Sequence, residues 1–173
     1  MAGKDVPSVF LDTNTLIGWI GREAEGGVSA ISGILTAIHQ RKLRAVVSQL
    51  TRLEILECKH DATMNKAWRN LQARPNVEMI GVHKSVIDVA YTIRNYYQAL
   101  RESDPAKKKP PKQPDCLLIA TAIIAKVDHF VSYDNGRRDP KCLSPLDLNG
   151  LIAGQWNLSV VAPETLDLVA LAV

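Results

Sequence analysis

The stretch VFLDTNTLIGWI, Val9 to Ile20, sets an apolar run against an acidic residue and decides how the fold is interpreted. Ser8–Asp12 is short and apolar, and it is bounded by Pro7 and by a polar Thr-Asn-Thr sequence, a pattern typical of a strand buried on both faces. Asp12 stands where that strand should end. It either starts the following helix, as Asp often does, or it holds a ligand.

The rest of the chain alternates between strand and helix patterns. Short, apolar or β-branched runs predict four more strands, at Leu43–Gln49, Val77–Val82, His129–Asp134 and Leu158–Pro163. Helical spacing of apolar residues predicts helices at Val28–Lys42, Leu50–Lys59, Asp61–Arg74, Lys84–Glu102, Asp115–Val127 and Glu164–Val173, besides the one after Asp12. Residues 135–157 are expected to be irregular. We therefore predict one domain over residues 1–173, an α/β fold whose central parallel sheet of four to five strands carries helices on both faces.

Composition and charge exclude several classes of protein. The chain has 173 residues, and 21 Lys and Arg against 18 Asp and Glu give a net charge of +3, too small to indicate a polyanionic partner by itself. The first ten residues reach charge and proline too early for a signal peptide, and no apolar run approaches the roughly 18 residues of a membrane span. Cys58, Cys116 and Cys142 form no CxxC pair, so neither a disulfide framework nor a zinc site is indicated. A cytoplasmic location without membrane association is expected.

Four acidic residues are placed to meet at one edge of the predicted sheet. Asp12 and Asp134 end the first and fourth predicted strands, while Glu54 and Asp115 lie in the first turns of helices that follow strands or loops. Ligands of open parallel sheets bind beyond the carboxyl ends of the strands. Carboxylates gathered there repel one another, and a divalent cation would remove that repulsion. Oxygen ligands of this kind suit Mg²⁺ or Mn²⁺ better than zinc.

Each of these acids also has a purely structural interpretation. Asp12 could only start a helix, and Glu54 fits a capping box with Thr51. Asp115 could complement the dipole of its helix, and Asp134 lies in the turn sequence YDNG. The four together, at one edge of one sheet, favour a metal site more strongly than any one of them does.

Basic residues flank two of the acids. The residues before Asp115 are Arg101, Lys107, Lys108, Lys109 and Lys112, and those after Asp134 are Arg137 and Arg138. The candidates for phosphate contacts are Lys107, Lys108, Lys109, Arg137 and Arg138, of which the two arginines are the better placed because they lie closer in the sequence to a proposed ligand. Phosphates attracted to these flanks would be led toward the proposed metal. The alternative is a solvated loop whose lysines only aid solubility.

Three motifs together resemble the PIN-domain nucleases, particularly the VapC-like toxin ribonucleases of toxin–antitoxin pairs. They are FLDTNTLI at residues 10–17, SQLTRLEILE at residues 48–57 and PDCLLIATAIIAKVDHFVSYD at residues 114–134. Their order and spacing match as well as their contents, and the resemblance extends from Val9 to about Pro163. It implies a three-layer α/β/α PIN-like fold. Two features depart from the family: Ser132 stands where threonine is common, and the Lys- and Pro-rich loop before Asp115 is longer than usual.

The resemblance also implies a function, namely hydrolysis of RNA phosphodiester bonds by an endoribonuclease that depends on Mg²⁺ (or Mn²⁺). It implies that the catalytic and metal-binding acids are Asp12, Glu54, Asp115 and Asp134, and that the supporting polar residues are Asn14 and Ser132. An antitoxin partner and a homodimer, to which the apolar tail could contribute, are further expectations.

Two alternatives stay open on the sequence. One is a catalytically silent PIN fold that binds RNA or protein. The other is a phosphatase of the haloacid-dehalogenase type, whose DxDxT motif FLDTNT resembles, although Asn14 here replaces the second acid.

Overall fold

The computed structural model describes residues 6–21, 28–57 and 62–168. Six strands are seen in these ranges, β1 Ser8–Leu11, β2 Arg44–Ser48, β3 Val77–Ile80, β4 His129–Val131, β5 Gly150–Ile152 and β6 Trp156–Val161. The α-helices there are α1 Thr13–Gly21, α2 Val28–His39, α3 Gln49–Glu57, α4 Ala62–Gln72, α5 Lys84–Ser103 and α6 Gln113–Ile124. Two 3-10 turns, Pro145–Leu148 and Pro163–Thr165, complete the secondary structure of this part. No helix in the described ranges is long and apolar enough to cross a membrane.

The six strands form one sheet in the order β3-β2-β1-β4-β6-β5. β1 pairs in parallel with both β2 and β4, and only the β5–β6 pair is antiparallel. The chain therefore runs outward from β1 through β2 to β3 and then crosses back to place β4 on the other side of β1. The strand order reverses between β1 and β4, and such a switch point opens a crevice at the carboxyl ends of its strands.

Each face of the sheet carries its own apolar core, which confirms the predicted α/β architecture with helices on both faces. Phe10 of β1 points into the core that α5 and α6 cover, and its ring stacks on that of Phe130 with the centroids 5.0 Å apart. Val9 and Leu11 point into the opposite core, with side chains from α1 to α4. All four side chains are fully buried because β1 and β4 are central strands with both faces covered.

The structure differs from the sequence-based expectations mainly at element ends and in one segment. The segment 135–157 is not wholly irregular, because it contains a 3-10 turn and the edge strand β5. β4 ends at Val131, so Asp134 lies in the following loop and does not close the strand. Helix α2 ends at His39, where Arg41 adopts a left-handed conformation (φ 60°) and the N–H of Lys42 bonds the carbonyl of Ala37, as in a Schellman motif.

Some expectations fall at or beyond the described ranges. The predicted C-terminal helix from Glu164 is replaced at its start by the 3-10 turn Pro163–Thr165, and residues 169–173 of the apolar tail lie outside the described residues. Leu166 and Leu168, which precede them, pack into the core beside α2. Cys116 and Cys142 carry free thiols, whereas Cys58 lies outside the described residues.

Candidate metal centre and active site

The switch point of the sheet brings the ends of β1 and β4 together. Asp12 is the first residue after β1, and its backbone N–H donates to the carbonyl oxygen of Val131 at 3.0 Å. Ser132, the first residue after β4, donates its N–H to the carbonyl oxygen of Val161 at 3.0 Å. Two polar residues 120 positions apart in the sequence are thereby held side by side at the carboxyl edge.

Asp12 does start helix α1. Its carbonyl oxygen accepts the N–H of Leu16 at 3.2 Å, and its Oδ1 accepts the N–H of Thr13 at 2.7 Å. Its other carboxylate oxygen, Oδ2, accepts the hydroxyl of Ser132 at 2.6 Å. The side chain is buried, with 4% exposed. The capping role is therefore real, but it uses only one of the two carboxylate oxygens and does not require burial beside other acids.

The hydroxyl of Ser132 joins three neighbours. Besides donating to Asp12, its Oγ accepts the backbone N–H of Asp134 at 2.9 Å and the side-chain amide of Asn14 at 3.2 Å. The carbonyl oxygen of that amide accepts the N–H of Tyr133 at 3.1 Å. Ser132 and Asn14 thus connect Asp12 to the start of the loop that carries Asp134. Any hydroxyl side chain could make these bonds, which explains why serine can replace threonine here.

Glu54 is positioned by helix packing and not by a capping box. Helix α3 begins at Gln49, so Thr51 is already inside the helix, and its Oγ1 accepts the hydroxyl of Thr13 at 2.9 Å. Glu54 follows Thr51 by three residues and so lies on the same face of the helix. The capping-box interpretation is wrong, and the Thr13–Thr51 bond instead ties the helix of Glu54 to the residue next to Asp12.

Asp115 and Asp134 approach from the other side of the crevice. Asp115 lies in the first turn of α6, which begins at Gln113. Asp134 sits in a tight turn in which its Oδ1 accepts the N–H of Gly136 at 2.9 Å and its backbone oxygen accepts the N–H of Leu146 at 3.3 Å. Its predicted turn role is therefore also real, and Oδ2 is the oxygen that the turn does not use.

The acids influence one another electrostatically. Burial raises the pKa of Asp12 from 3.8 to about 7, against hydrogen bonds from Ser132 and Thr13, and the charges of Asp115 and Glu54 add to the rise. Burial also raises the pKa of Asp115 from 3.8 to about 6, with further increases from Asp134 and Glu54, while Lys112 lowers it. All four predicted acids therefore belong to one electrostatically coupled group at the crevice.

The donor set fits a hard divalent cation. All four side chains offer carboxylate oxygens, and a bound cation would offset both the burial of charge and the smaller repulsion between acids that raise the pKa values of Asp12 and Asp115. In the described parts of the chain, no three His, Cys, Asp or Glu side chains already stand in the arrangement that holds a metal ion. A cation would therefore draw the carboxylates together or bind some of them through water, as Mg²⁺ commonly does.

The predicted phosphate-contacting cations differ in whether their charge is already paired with an acid. Lys108 forms an ion pair with Asp147 at 2.8 Å. Lys109 lines a cleft beside α5 and the start of α6. Lys107, Arg137 and Arg138 have exposed side chains. Within the described residues no ion pair is seen for these last three, so their charges remain available to an anion.

Sequence reasoning missed two contributors to the site. One is the Thr13–Thr51 bond. The Thr-x-x-Glu spacing of Thr51 and Glu54 is visible in the sequence, but the same spacing is typical of a capping box. The other is Lys112, which precedes Asp115 by three residues and lowers the pKa of Asp115. Lys112 belongs to the visible basic cluster, but only its position at the start of α6 distinguishes it from the neighbouring lysines.

Comparisons with known proteins agree with this geometry. The family model of the PIN domain matches residues 9–140. Among solved structures, VapBC2 from Rickettsia felis bound to a DNA fragment from its promoter aligns with a TM-score of 0.55 and 12% identity, over 90% of this chain and 98% of that chain. DNA-bound VapBC from Salmonella typhimurium aligns with a TM-score of 0.54 and 15% identity, over 91% and 98% respectively. No curated protein sequence matches the chain.

These findings confirm the predicted resemblance and the predicted fold. The structural likeness shows a shared fold, and the family match spans all four acids, two of which lie in helices. The phosphatase alternative loses its basis, because the motif FLDTNT falls inside the PIN match and Asn14 is bonded to Ser132 and Tyr133. The chain belongs to the PIN domain family.

Proposed function

We propose that this protein is a metal-dependent endoribonuclease and the toxin of a toxin–antitoxin pair. The observation that carries the proposal is the burial of Asp12 at the switch point together with its electrostatic coupling to Asp115 and Glu54. A carboxylate needed only to cap a helix has no reason to be buried among other acids, since that burial disfavours its charged form. Such a cost is expected where function requires a cation.

The residues of the crevice would divide the work of hydrolysis. Asp12, Glu54, Asp115 and Asp134 would hold Mg²⁺ or Mn²⁺, which when bound lowers the pKa of water and offsets charge on the phosphate. Ser132 keeps Oδ2 of Asp12 in place through its hydroxyl, and Asn14 supports Ser132. The exposed cations Arg137 and Arg138 would attract RNA phosphates toward the crevice.

The proposed partner and biological setting rest on the family and its structural neighbours. The neighbours are VapBC complexes, and VapC-like toxins are the group that the three sequence motifs resemble. We therefore expect an antitoxin protein as a partner, RNA as the substrate, a homodimer and a cytoplasmic location. A short reading frame next to the gene that encodes a DNA-binding segment would support the antitoxin.

Cleavage of a structured RNA with Mg²⁺ or with chelator tests the proposed activity. Asp12→Asn and Asp115→Asn should each lower the cleavage rate by at least a hundredfold, because an amide is a poorer ligand for Mg²⁺. Asp88→Asn is the matched control, since Asp88 is an exposed acid that pairs with Lys84 on α5 and lies in no part of the crevice. It should cleave at the wild-type rate. The products should carry 5′-phosphate ends, as the resemblance to PIN nucleases implies.

Three results would contradict the proposal in different ways. Wild-type cleavage by either crevice variant would remove that residue from the site. Cleavage that persists in chelator and leaves cyclic 2′,3′-phosphate ends would indicate a metal-free reaction. Binding of RNA without cleavage by the wild type, with Mg²⁺ or Mn²⁺ present, would support the alternative of a silent binding module.

A further inference from the structure

A basic cleft lies between α5 and the start of α6. It encloses about 380 Å³, and its lining includes four cationic side chains, Arg94, Arg101, Lys109 and Lys112. The other lining residues carry no carboxylate. Arg94 and Arg101 come from α5, while Lys109 and Lys112 come from the Lys- and Pro-rich loop that precedes Asp115.

Most of this charge is not neutralised by neighbouring acids. Lys112 lies 3.5 Å from a carboxylate oxygen of Asp139. For Arg94, Arg101 and Lys109, no ion pair is formed with any residue that the structure describes. The nearby acid Glu102 instead accepts a hydrogen bond from Gln98. Several cations that converge without counter-charges repel one another, and an anion would relieve that repulsion.

The arginines are also held in place before any ligand arrives. Nη1 of Arg94 donates to the carbonyl oxygen of Pro111 at 2.7 Å, and Nη1 of Arg101 donates to that of Lys107 at 3.2 Å. The guanidinium group has five N–H donors in a rigid fork, so each arginine keeps donors for a further acceptor. Oxygen atoms of a phosphate match that fork geometrically.

The backbone of Lys109 is fixed on both sides. Its N–H donates to the carbonyl oxygen of Lys141 at 2.7 Å, and its own carbonyl oxygen accepts the N–H of Leu143 at 2.9 Å. The side chain makes no hydrogen bond or ion pair with another described residue. Lys109 thus has an exposed ammonium group, unpaired within the described residues, on a backbone that is held at the cleft. Lys108, in contrast, forms an ion pair with Asp147.

The cleft adjoins the candidate active site. Lys112 and Gln113 line it, and Asp115 follows on the same first turn of α6, about 3 Å along the helix axis from Gln113 at the usual rise of 1.5 Å per residue. The effect of Lys112 on the pKa of Asp115 shows that the two regions are electrostatically close. A strand with one phosphate at the acids could place a flanking phosphate in the cleft.

We propose that the cleft of Arg94, Arg101, Lys109 and Lys112 binds a backbone phosphate of the RNA next to the bond that is cut. The proposal rests on the proposed ribonuclease function and extends it to a second contact site. Phosphate contacts position a strand without reading its sequence, so the cleft sets where the RNA lies and does not select bases.

Binding of a fluorescein-labelled single-stranded RNA in chelator, measured by anisotropy over a series of salt concentrations, tests the cleft without cleavage. Lys109→Gln and Arg101→Gln should each weaken binding several-fold at low salt. Each should also reduce the slope of log affinity against log salt by up to about 0.7, the value for complete loss of one phosphate contact on a single strand. The matched control is Lys126→Gln, which removes the same charge from an exposed residue at the far end of α6.

Stability and competition complete the test. Lys109→Gln removes no hydrogen bond or ion pair within the described residues, so an unchanged Tm is expected and a binding defect can be assigned to the cleft. Arg101→Gln loses the bond to the carbonyl of Lys107, so Arg101→Lys is included to retain the charge and should retain part of the slope. Inorganic polyphosphate should displace the RNA at far lower concentration than a poly-glutamate peptide of equal charge.

The outcomes separate this proposal from the proposed function. If RNA binding by both cleft variants shows the same slope of log affinity against log salt as the wild type, while the wild type cleaves RNA, the cleft proposal is overturned and the proposed ribonuclease function stands. If poly-glutamate competes as well as polyphosphate, the cleft is a site for an acidic protein segment, and the RNA assignment is overturned. If the wild type neither binds nor cleaves RNA, both proposals fail together.

Discussion

Replacing Asp12 by Asn separates a helix cap from a metal ligand through its effect on stability. Asn caps helices about as well as Asp, and its side-chain oxygen can accept the N–H of Thr13 as Oδ1 of Asp12 does. Capping alone therefore predicts almost no change in the free energy of unfolding. Burial of the carboxylate, with smaller contributions from the charges of Asp115 and Glu54, predicts a clear gain in stability for the metal-free protein, because the substitution removes a buried charge.

The size of that gain follows from the pKa of Asp12. Its rise from 3.8 to about 7 in the folded state corresponds to about 4 kcal/mol at about 1.36 kcal/mol per unit of pKa. The folded state retains its proton as pH rises from about 4 to about 7 while the unfolded chain loses it, so wild-type stability falls over that range. The Asn variant lacks this fall. At pH 8 in chelator we expect the Asn variant to be about 2 to 4 kcal/mol more stable than the wild type. The lower end of this range applies because the amide of Asn replaces the carboxylate imperfectly in the bond from Ser132.

Thermal unfolding in chelator at pH 8 and at pH 4 measures this difference. About 2 to 4 °C per kcal/mol applies to a chain of this size, so Tm should rise by about 5 to 15 °C at pH 8 and hardly at pH 4. Added Mg²⁺ at a hundredfold excess over its Kd should stabilise the wild type by about 2.7 kcal/mol and the variant far less. Asp88→Asn serves as the control and should follow the wild type throughout. Equal stability at pH 8 together with equal responses to Mg²⁺ would refute the cluster and leave Asp12 as a cap.

Two further predictions concern the protons of the cluster. Binding of Mg²⁺ requires the charged carboxylates, so its affinity should fall steeply as pH drops from 8 to 5.5, through the raised pKa values of Asp12 and Asp115; a pH-independent Kd from calorimetry would contradict this. Ser132→Ala removes the hydroxyl bond that lowers the pKa of Asp12, so the pH at which Mg²⁺ binding is half-maximal should move upward. Ser132→Thr keeps a hydroxyl and should bind Mg²⁺ with the wild-type pH profile. Identical pH profiles for the two variants would show that the hydroxyl does not position Asp12.

The sequence allowed prediction of those candidate site residues whose signals are local. A buried strand that stops at Asp12 can be recognised from a dozen residues, because burial on both faces requires a continuous apolar run. Asp115 can be placed in a helix start from Pro114 and the apolar residues that follow. The alternation of such elements was enough to predict the layered fold and the edge of the sheet at which the acids would gather.

Other features depended on partners that are distant in the sequence. Thr51 and Glu54 have the spacing of a capping box, and only the packing of α3 against α1 shows that Thr51 bonds Thr13. The ion pair of Lys108 with Asp147, 39 residues away, separates it from Lys109, although the two are adjacent in one basic run. The edge strand β5 could not be recognised, because three residues are too few to show a period.

The sequence by itself determined that Asp12 follows a buried strand and that Asp115 starts a helix, since those positions follow from short-range patterns of burial. The tertiary structure decided that β4 returns to lie against β1, which brings Ser132 to within 2.6 Å of a residue 120 positions earlier. That crossover is selected by the packing of α5 and α6 on one face of the sheet, and no local pattern encodes it. The physical reason is that the spacing of apolar residues along the chain indicates whether a residue is buried. Which residues it contacts is fixed only when distant segments pack into a common core.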